Sequence, residues 1–162
     1  MVHCKYTLLF VKDNLQYSIT FKEATMRVVI TFLLVSSLCF GDWVVPVSAL
    51  PQKASSFINS TFPGSQIWKV ERDGMKYEVK LSNGVDIDFN LAGDWVNIDG
   101  NWVIIPFSVL PVSVANTVKQ TYPNTLIIDV EKEWGNYKVK LNNFMELYIS
   151  SSGQLIGQKF DD

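Results

Sequence analysis

An α+β fold made of two tandem repeats, each one helix packed on a four-stranded antiparallel sheet, is predicted by three observations. Residues 50–99 come back as residues 110–159 at a shift of sixty positions without a gap. Within each copy a stretch of helical apolar spacing gives way to stretches of period two. Short turn signals separate those stretches. The pairing sets LPQKASSFINSTFPGSQIWKVERDGMKYEVKLSNG over LPVSVANTVKQTYPNTLIIDVEKEWGNYKVKLNNF, with Pro63 on Pro123, Tyr77 on Tyr137, Val79-Lys80-Leu81 on Val139-Lys140-Leu141 and Gly93 on Gly153. Self-similarity of this kind marks a repeated supersecondary unit.

The helix comes first in each copy. Leu50, Ala54, Phe57, Ile58 and Phe62 recur at helical spacing, as do Leu110, Val114, Val118 and Tyr122. Ser48 and Ser108 are expected to cap these helices, with Pro51 and Pro111 in the first turn, where a missing N–H costs little. Pro63-Gly64 and Pro123-Asn124 end them.

Three strands follow. Trp68 and Val70, then Tyr77, Val79 and Leu81, then Val85, Ile87 and Phe89 alternate with Lys69, Glu71, Lys76, Glu78, Lys80, Asp86 and Asp88. The second copy keeps that register with Ile128 and Val130, then Tyr137, Val139 and Leu141, then Met145, Leu147 and Ile149. Such alternation describes strands with one buried face. Asp73-Gly74 and Ser82-Asn83-Gly84 read as hairpin turns, and Ala92-Gly93 leads into a fourth strand near residues 95–98. A unit of about 50 residues buries too little to be secure alone, so repeat 1 (residues 46–99) and repeat 2 (residues 107–160) are expected to share one core. The apolar linker 100–106, with Trp102, Val103, Ile104 and Ile105, is expected to be packed.

Ahead of the repeats, Met26-Arg27 and the apolar run VVITFLLVSSLCFG have the plan of a secretory signal at residues 26–41. The run is shorter than the roughly 18–20 apolar residues of a membrane span, and an uncleaved anchor is the alternative reading. Cleavage after Gly41 makes Asp42 the first mature residue. Residues 1–25 lack a clear period and are expected to precede the true start at Met26. Cys4, Cys39 and His3, the only cysteines and the only histidine, fall in the discarded part. The mature chain then carries no disulfide. Removing Lys5, Lys12, Lys22 and Arg27 with Asp13 and Glu23 from 14 basic and 16 acidic residues leaves a net charge of about −4. No basic stripe suggests nucleic acid.

The LP helix start, the FPG or YPN helix end, the YEVKLSNG hairpin and the GDW step into the last strand resemble the PepSY-like, beta-lactamase-inhibitor-like family of secreted Bacteroidetes proteins. The resemblance covers roughly residues 46–160. It implies two helix-plus-sheet repeats joined into one curved sheet with the helices on one face, in a periplasmic or secreted protein. It implies little about activity. The family's name rests on likeness to an inhibitor that grips an enzyme with its concave sheet and protruding loops. This chain departs from that inhibitor in its short turns at Asp73-Gly74 and Glu133-Trp134-Gly135 and in having no disulfide.

Nucleophilic catalysis by serine or cysteine needs a base, usually histidine, and the mature chain has none; no catalytic residue, cofactor or metal is expected. Asp86 and Asp88, with Asp94 and Asp99 nearby, could serve acid/base work or hold calcium, but acids alternating with apolar residues also describe a solvated strand face. Gly84, Gly93 and Gly100 read as turn residues, and Tyr77 and Tyr137 as core. By parity the face away from the helices gathers Lys76, Glu78, Lys80, Asp86, Asp88, Lys138, Lys140, Glu146 and Tyr148, joined from strand ends by Trp95, Trp102 and Trp134. Aromatics ringed by charge suit a protein interface. The leading expectation is a non-enzymatic binding module, with inhibition as one form, that engages a protein or peptide of the cell envelope through this face. The alternatives are small-ligand or calcium binding between the repeats through Asp86, Asp88 and Glu146, or a structural envelope protein without a discrete site.

Overall fold

The computed structural model describes residues 43–161. The segment 1–25, the leader expected at 26–41 and the residues Cys4, Cys39 and His3 lie outside the described residues. Among the described residues nine strands form one antiparallel sheet in which each strand lies beside its sequence neighbours. A short edge strand, β1 (Trp43–Val44), pairs with Arg72 and Glu71 and is an addition the repeat pattern does not announce. Repeat 1 supplies α1 (Gln52–Thr61), β2 (Ile67–Asp73), β3 (Lys76–Leu81), β4 (Asp86–Asn90) and β5 (Trp95–Asp99). Repeat 2 supplies α2 (Val112–Thr121), β6 (Ile127–Glu133), β7 (Asn136–Leu141), β8 (Met145–Ser150) and β9 (Leu155–Phe160). The seam is β5 against β6, from Asn97↔Glu131 to Asp99↔Asp129.

A single row of the ladder explains the shared interior. Val70, Val79, Ile87, Ile98, Val130, Val139 and Leu147 stand opposite one another from β2 to β8, and all are buried. Directly opposed residues share a face, so the row is one apolar ridge. Ala54 and Ile58 of α1 and Val114, Ala115 and Val118 of α2 join the same core cluster, which places both helices on that side. Each buried branched side chain contributes about 1.5–3 kcal/mol. Because Ile98 packs beside Val130 across the seam, neither repeat completes its core alone.

The helix starts differ from expectation. Ser48 and Ser108 lie in the 3₁₀ turns Val47–Ala49 and Phe107–Val109, and the cap positions belong to Pro51 and Pro111, without a side-chain cap bond. The proline carbonyls make the first helical bonds, Pro51 O accepting from the Ala54 and Ser55 amides and Pro111 O from the Ala115 amide. A serine three residues upstream is too far back along an extended Leu-Pro step to reach those donors.

Four β-bulges occur at matched places in the two copies, between Ile67 and Lys69, Ile127 and Asp129, Asp88 and Phe89, and Tyr148 and Ile149. Each inserts one residue and resets which side the chain faces. Trp68, expected to alternate inward with Val70, is therefore 75 % exposed. In the linker, Ile105 is buried and Val103 packs on the core, whereas Trp102 and Ile104 are exposed.

Candidate functional site

The sheet side opposite the helices carries two rows of polar residues. Lys69, Lys80, Asp86, Asp99, Asp129, Lys140, Glu146 and Lys159 form one row across β2 to β9. Beside it runs Glu71, Glu78, Asp88, Asn97, Glu131, Lys138, Tyr148 and Gly157. Of the residues predicted for this face, Lys76, Glu78, Lys80, Asp86, Asp88, Lys138, Lys140, Glu146 and Tyr148 lie on it together.

Trp95 does not. The bulge pairs Phe89 with Trp95 but Asp88 with Asn97, so Val96 is the extra residue and Trp95 turns to the helix side. There it is 7 % exposed, stacks on Phe57 at 6.3 Å and carries the Lys132 ammonium 3.4 Å above its ring. Trp134 and Trp102 remain on the surface, 100 % and 69 % exposed.

Ion pairs organise most of the charge. Lys80 meets Asp86 at 2.7 Å, and Lys76 meets Glu78 at 2.7 Å and Asp88 at 3.2 Å. Lys138 meets Glu131 at 3.3 Å, and Lys140 meets Asp161. Glu146 is buried, accepts the Tyr148 hydroxyl at 2.9 Å and pairs with Lys159 at 3.1 Å. Glu78, with Asp88 behind it, holds the Lys76 ammonium well above its usual range, against the opposing effect of burial. Partly exposed pairs such as these are worth at most about 1 kcal/mol each, so they set orientation more than stability.

Two carboxylates at the seam are different. Asp99 and Asp129 stand opposite each other, and among the described residues neither has a cation within ion-pair distance. Asp99 accepts the Asn101 amide at 2.8 Å. Burial, then the Asp99 charge, pushes the Asp129 carboxyl up to about 6, with Lys138 and Lys140 pulling the other way. A hollow of about 290 Å³ opens over the pair, walled by Trp102, Ile128, Lys138, Lys140 and Glu146. Ile128 is buried here, apart from the main core, because its bulge turns it to this side. A second hollow of about 210 Å³, with a mainly apolar lining, lies between Trp134, Tyr148, Ile156 and Gly157, and Lys138 borders both.

The calcium set Asp86, Asp88 and Glu146 is not brought together. Each of the three is engaged by its own lysine, Lys80, Lys76 and Lys159 respectively. The alternation sets Ile128 inward with Val130, which the bulge overturns; it leaves Asp129 outward, but only the seam pairing puts Asp99 opposite it, and it does not single out Phe144. The available signal is charge reversal between the copies: Lys69 corresponds to Asp129, and Asp99 to Lys159. Those two swaps bring like charges together at the seam.

A profile of the family described as "Putative beta-lactamase-inhibitor-like, PepSY-like" matches residues 42–92 and 77–157, which together span nearly all of both repeats. The chain belongs to this PepSY-like family. A "putative calcium-regulated periplasmic protein" from Bacteroides thetaiotaomicron is similar in structure, with 30% identity over 73% of this chain and 96% of that one and a TM-score of 0.67. Two proteins from Bacteroides vulgatus, each described as a "putative periplasmic protein", reach 26% identity and the same TM-score over 73% and 74% of this chain and 96% and 99% of theirs. No curated protein matches the chain. Among the described residues no helix is long and apolar enough to cross a membrane.

Proposed function

We propose that this PepSY-like chain is a periplasmic, non-enzymatic binding module that holds a protein or peptide partner against the open face of its sheet. The observation that carries the reading is the ladder: both repeats turn their charged rows to one side, and no described helix covers it. Two hollows and exposed aromatics on that side supply the concave, partly apolar spots at which partners are anchored. The periplasmic description of the similar Bacteroides proteins supports the compartment.

Calcium regulation, described for the Bacteroides thetaiotaomicron relative, is the second reading. It draws less support here, because Asp86, Asp88 and Glu146 each already face a lysine. A specific ion would raise the melting temperature by mass action. Capture from native periplasmic extract, followed by cross-linking, tests the leading reading. The Lys80→Glu, Tyr148→Ala double variant is expected to lose a partner that the wild type retains while staying folded, with a melting temperature a few degrees lower because a carboxylate then opposes Asp86. Equal recovery by both removes the open face from consideration.

A further inference from the structure

We propose that repeat 2 is the docking half of this face, and that its left-handed aromatic turns bracket a site for an extended polypeptide segment with a basic side chain roughly four positions from an apolar one. This rests on the open-face reading above and narrows it.

The duplication supplies its own control. At two turn positions where repeat 1 has glycine in the left-handed region, Gly74 (φ 49°) and Gly84 (φ 96°), repeat 2 has Trp134 (φ 49°) and Phe144 (φ 64°). Turns of this conformation favour Gly, Asn or Asp, and bulky side chains adopt it at a conformational cost. Trp134 recovers nothing by packing, since it is fully exposed. Phe144 is 44 % exposed and meets a third left-handed aromatic, Trp102 (φ 75°), at 5.9 Å. Strain held at exposed aromatics points to a role outside folding.

Their placement defines what fits. Trp134 precedes β7, and Phe144 with Trp102 lies beyond its other end, so the aromatics bracket a strand about 20 Å long. Between them the two hollows share Lys138 as a wall. The hollow at Trp134 suits an aliphatic or aromatic side chain, and Gly157 leaves its floor open, with nothing within 4 Å of where a Cβ would lie. The hollow at Trp102 combines an apolar flank with Asp99 and Asp129, neither in an ion pair, while its two lysines, Lys138 and Lys140, are drawn to Glu131 and Asp161, which suits an ammonium or guanidinium on an apolar stem. Every other carboxylate of that row already has its lysine.

The probe is a fluorescein-labelled peptide Gly-Leu-Thr-Ser-Thr-Arg-Gly, with a control in which glutamate replaces arginine, and the readout is anisotropy with the purified full chain. The wild type is expected to bind the arginine peptide at least tenfold more tightly than the control. Trp134→Gly, which installs the residue repeat 1 uses, and Asp129→Asn are each expected to weaken binding tenfold or more while the melting temperature holds or rises. Met75→Ala, in the matching and likewise exposed hairpin of repeat 1, is expected to leave binding of this peptide unchanged. Equal affinity for both peptides overturns the proposal, as does full binding by Trp134→Gly. If the Lys80→Glu, Tyr148→Ala variant loses an extract partner while Trp134→Gly keeps it, the open face stands and the bracket falls. If both keep it, both readings fall.

Discussion

Gly93 and Gly153 are where single residues decide whether the helices can sit against the sheet. Both adopt the left-handed region, at φ 81° and 93°, in the turns before β5 and β9. A Cβ on Gly153 would lie 2.8 Å from the Ser113 Cβ and 2.9 Å from the Ser113 carbonyl oxygen, at the start of α2. At Gly93 it would lie 3.0 Å from the Pro51 Cβ and 3.1 Å from the Ala54 nitrogen, at the start of α1. Thr117 Oγ1 donates to the Gly153 carbonyl at 2.5 Å, so the turn has little freedom to retreat. Gly153→Ala is accordingly expected to cost about 2–3 kcal/mol, from backbone strain and a close contact together. Gly157→Ala, in open space with ordinary backbone angles, is expected to stay within about 0.5 kcal/mol of wild type. Urea unfolding of the two variants side by side measures the difference, and equal stabilities would mean that the helix yields at little cost.

At the scale of elements, the bulges govern which side chains become core. Trp95 is held by Phe57, Tyr137 at 6.3 Å and Lys132, whose Nζ donates to the Trp95 carbonyl at 3.0 Å and whose pKa is lowered by burial. Trp95→Ala is therefore expected to cost about 3–5 kcal/mol, the range for emptying an aromatic core site. Trp134→Ala, fully exposed, is expected to change stability by no more than about 0.5 kcal/mol. Thermal or chemical unfolding distinguishes them, and similar losses would contradict the bulge. The helices, the hairpins and the faces of Val79, Lys80, Val139 and Lys140 were legible in the sequence, because unbroken alternation leaves one register that buries the apolar set. Trp68, Ile128 and Trp95 were not, because the first two are inserted residues, Trp95 adjoins one, and period-two counting assumes there is none. The cap positions were missed for a related reason, since an extended proline step separates Ser48 and Ser108 from the donors they were expected to reach.

For the whole molecule, the consequential feature is that the repeats meet through like charges. Opposed carboxylates weaken a ladder, and this pair lies on the seam that joins the two halves of the core. Around Asp129 stand Asp99 from β5, Glu131 from its own strand and Lys138 and Lys140 from β7, with Glu146 lining the same hollow; Lys140 is shared with Asp161. The folded Asp129 carboxyl titrates at about 6 against an ordinary value of 3.8, so between those values the folded state binds the extra proton. Stability then falls as pH rises from about 4 through 6 and levels off above, the reverse of a salt-bridged carboxylate. Asp88, also raised by burial, acts in the same sense. Asp161, lowered by Lys140, acts oppositely, with its contribution lost as pH falls below the ordinary carboxylate range and thus outside this window. A melting temperature a few degrees higher at pH 5 than at pH 7.5 is expected, with Asp129→Asn raising the value at pH 7.5 and flattening the slope. A slope unchanged in Asp129→Asn would remove the seam as its source. Binding of a basic segment should run the other way, because the proton that relieves the seam also removes the charge that attracts the ligand. The arginine peptide is expected to bind less tightly at pH 5 than at pH 7.5 while the fold grows more stable, and only a site that shares Asp129 with the seam joins those two opposite trends.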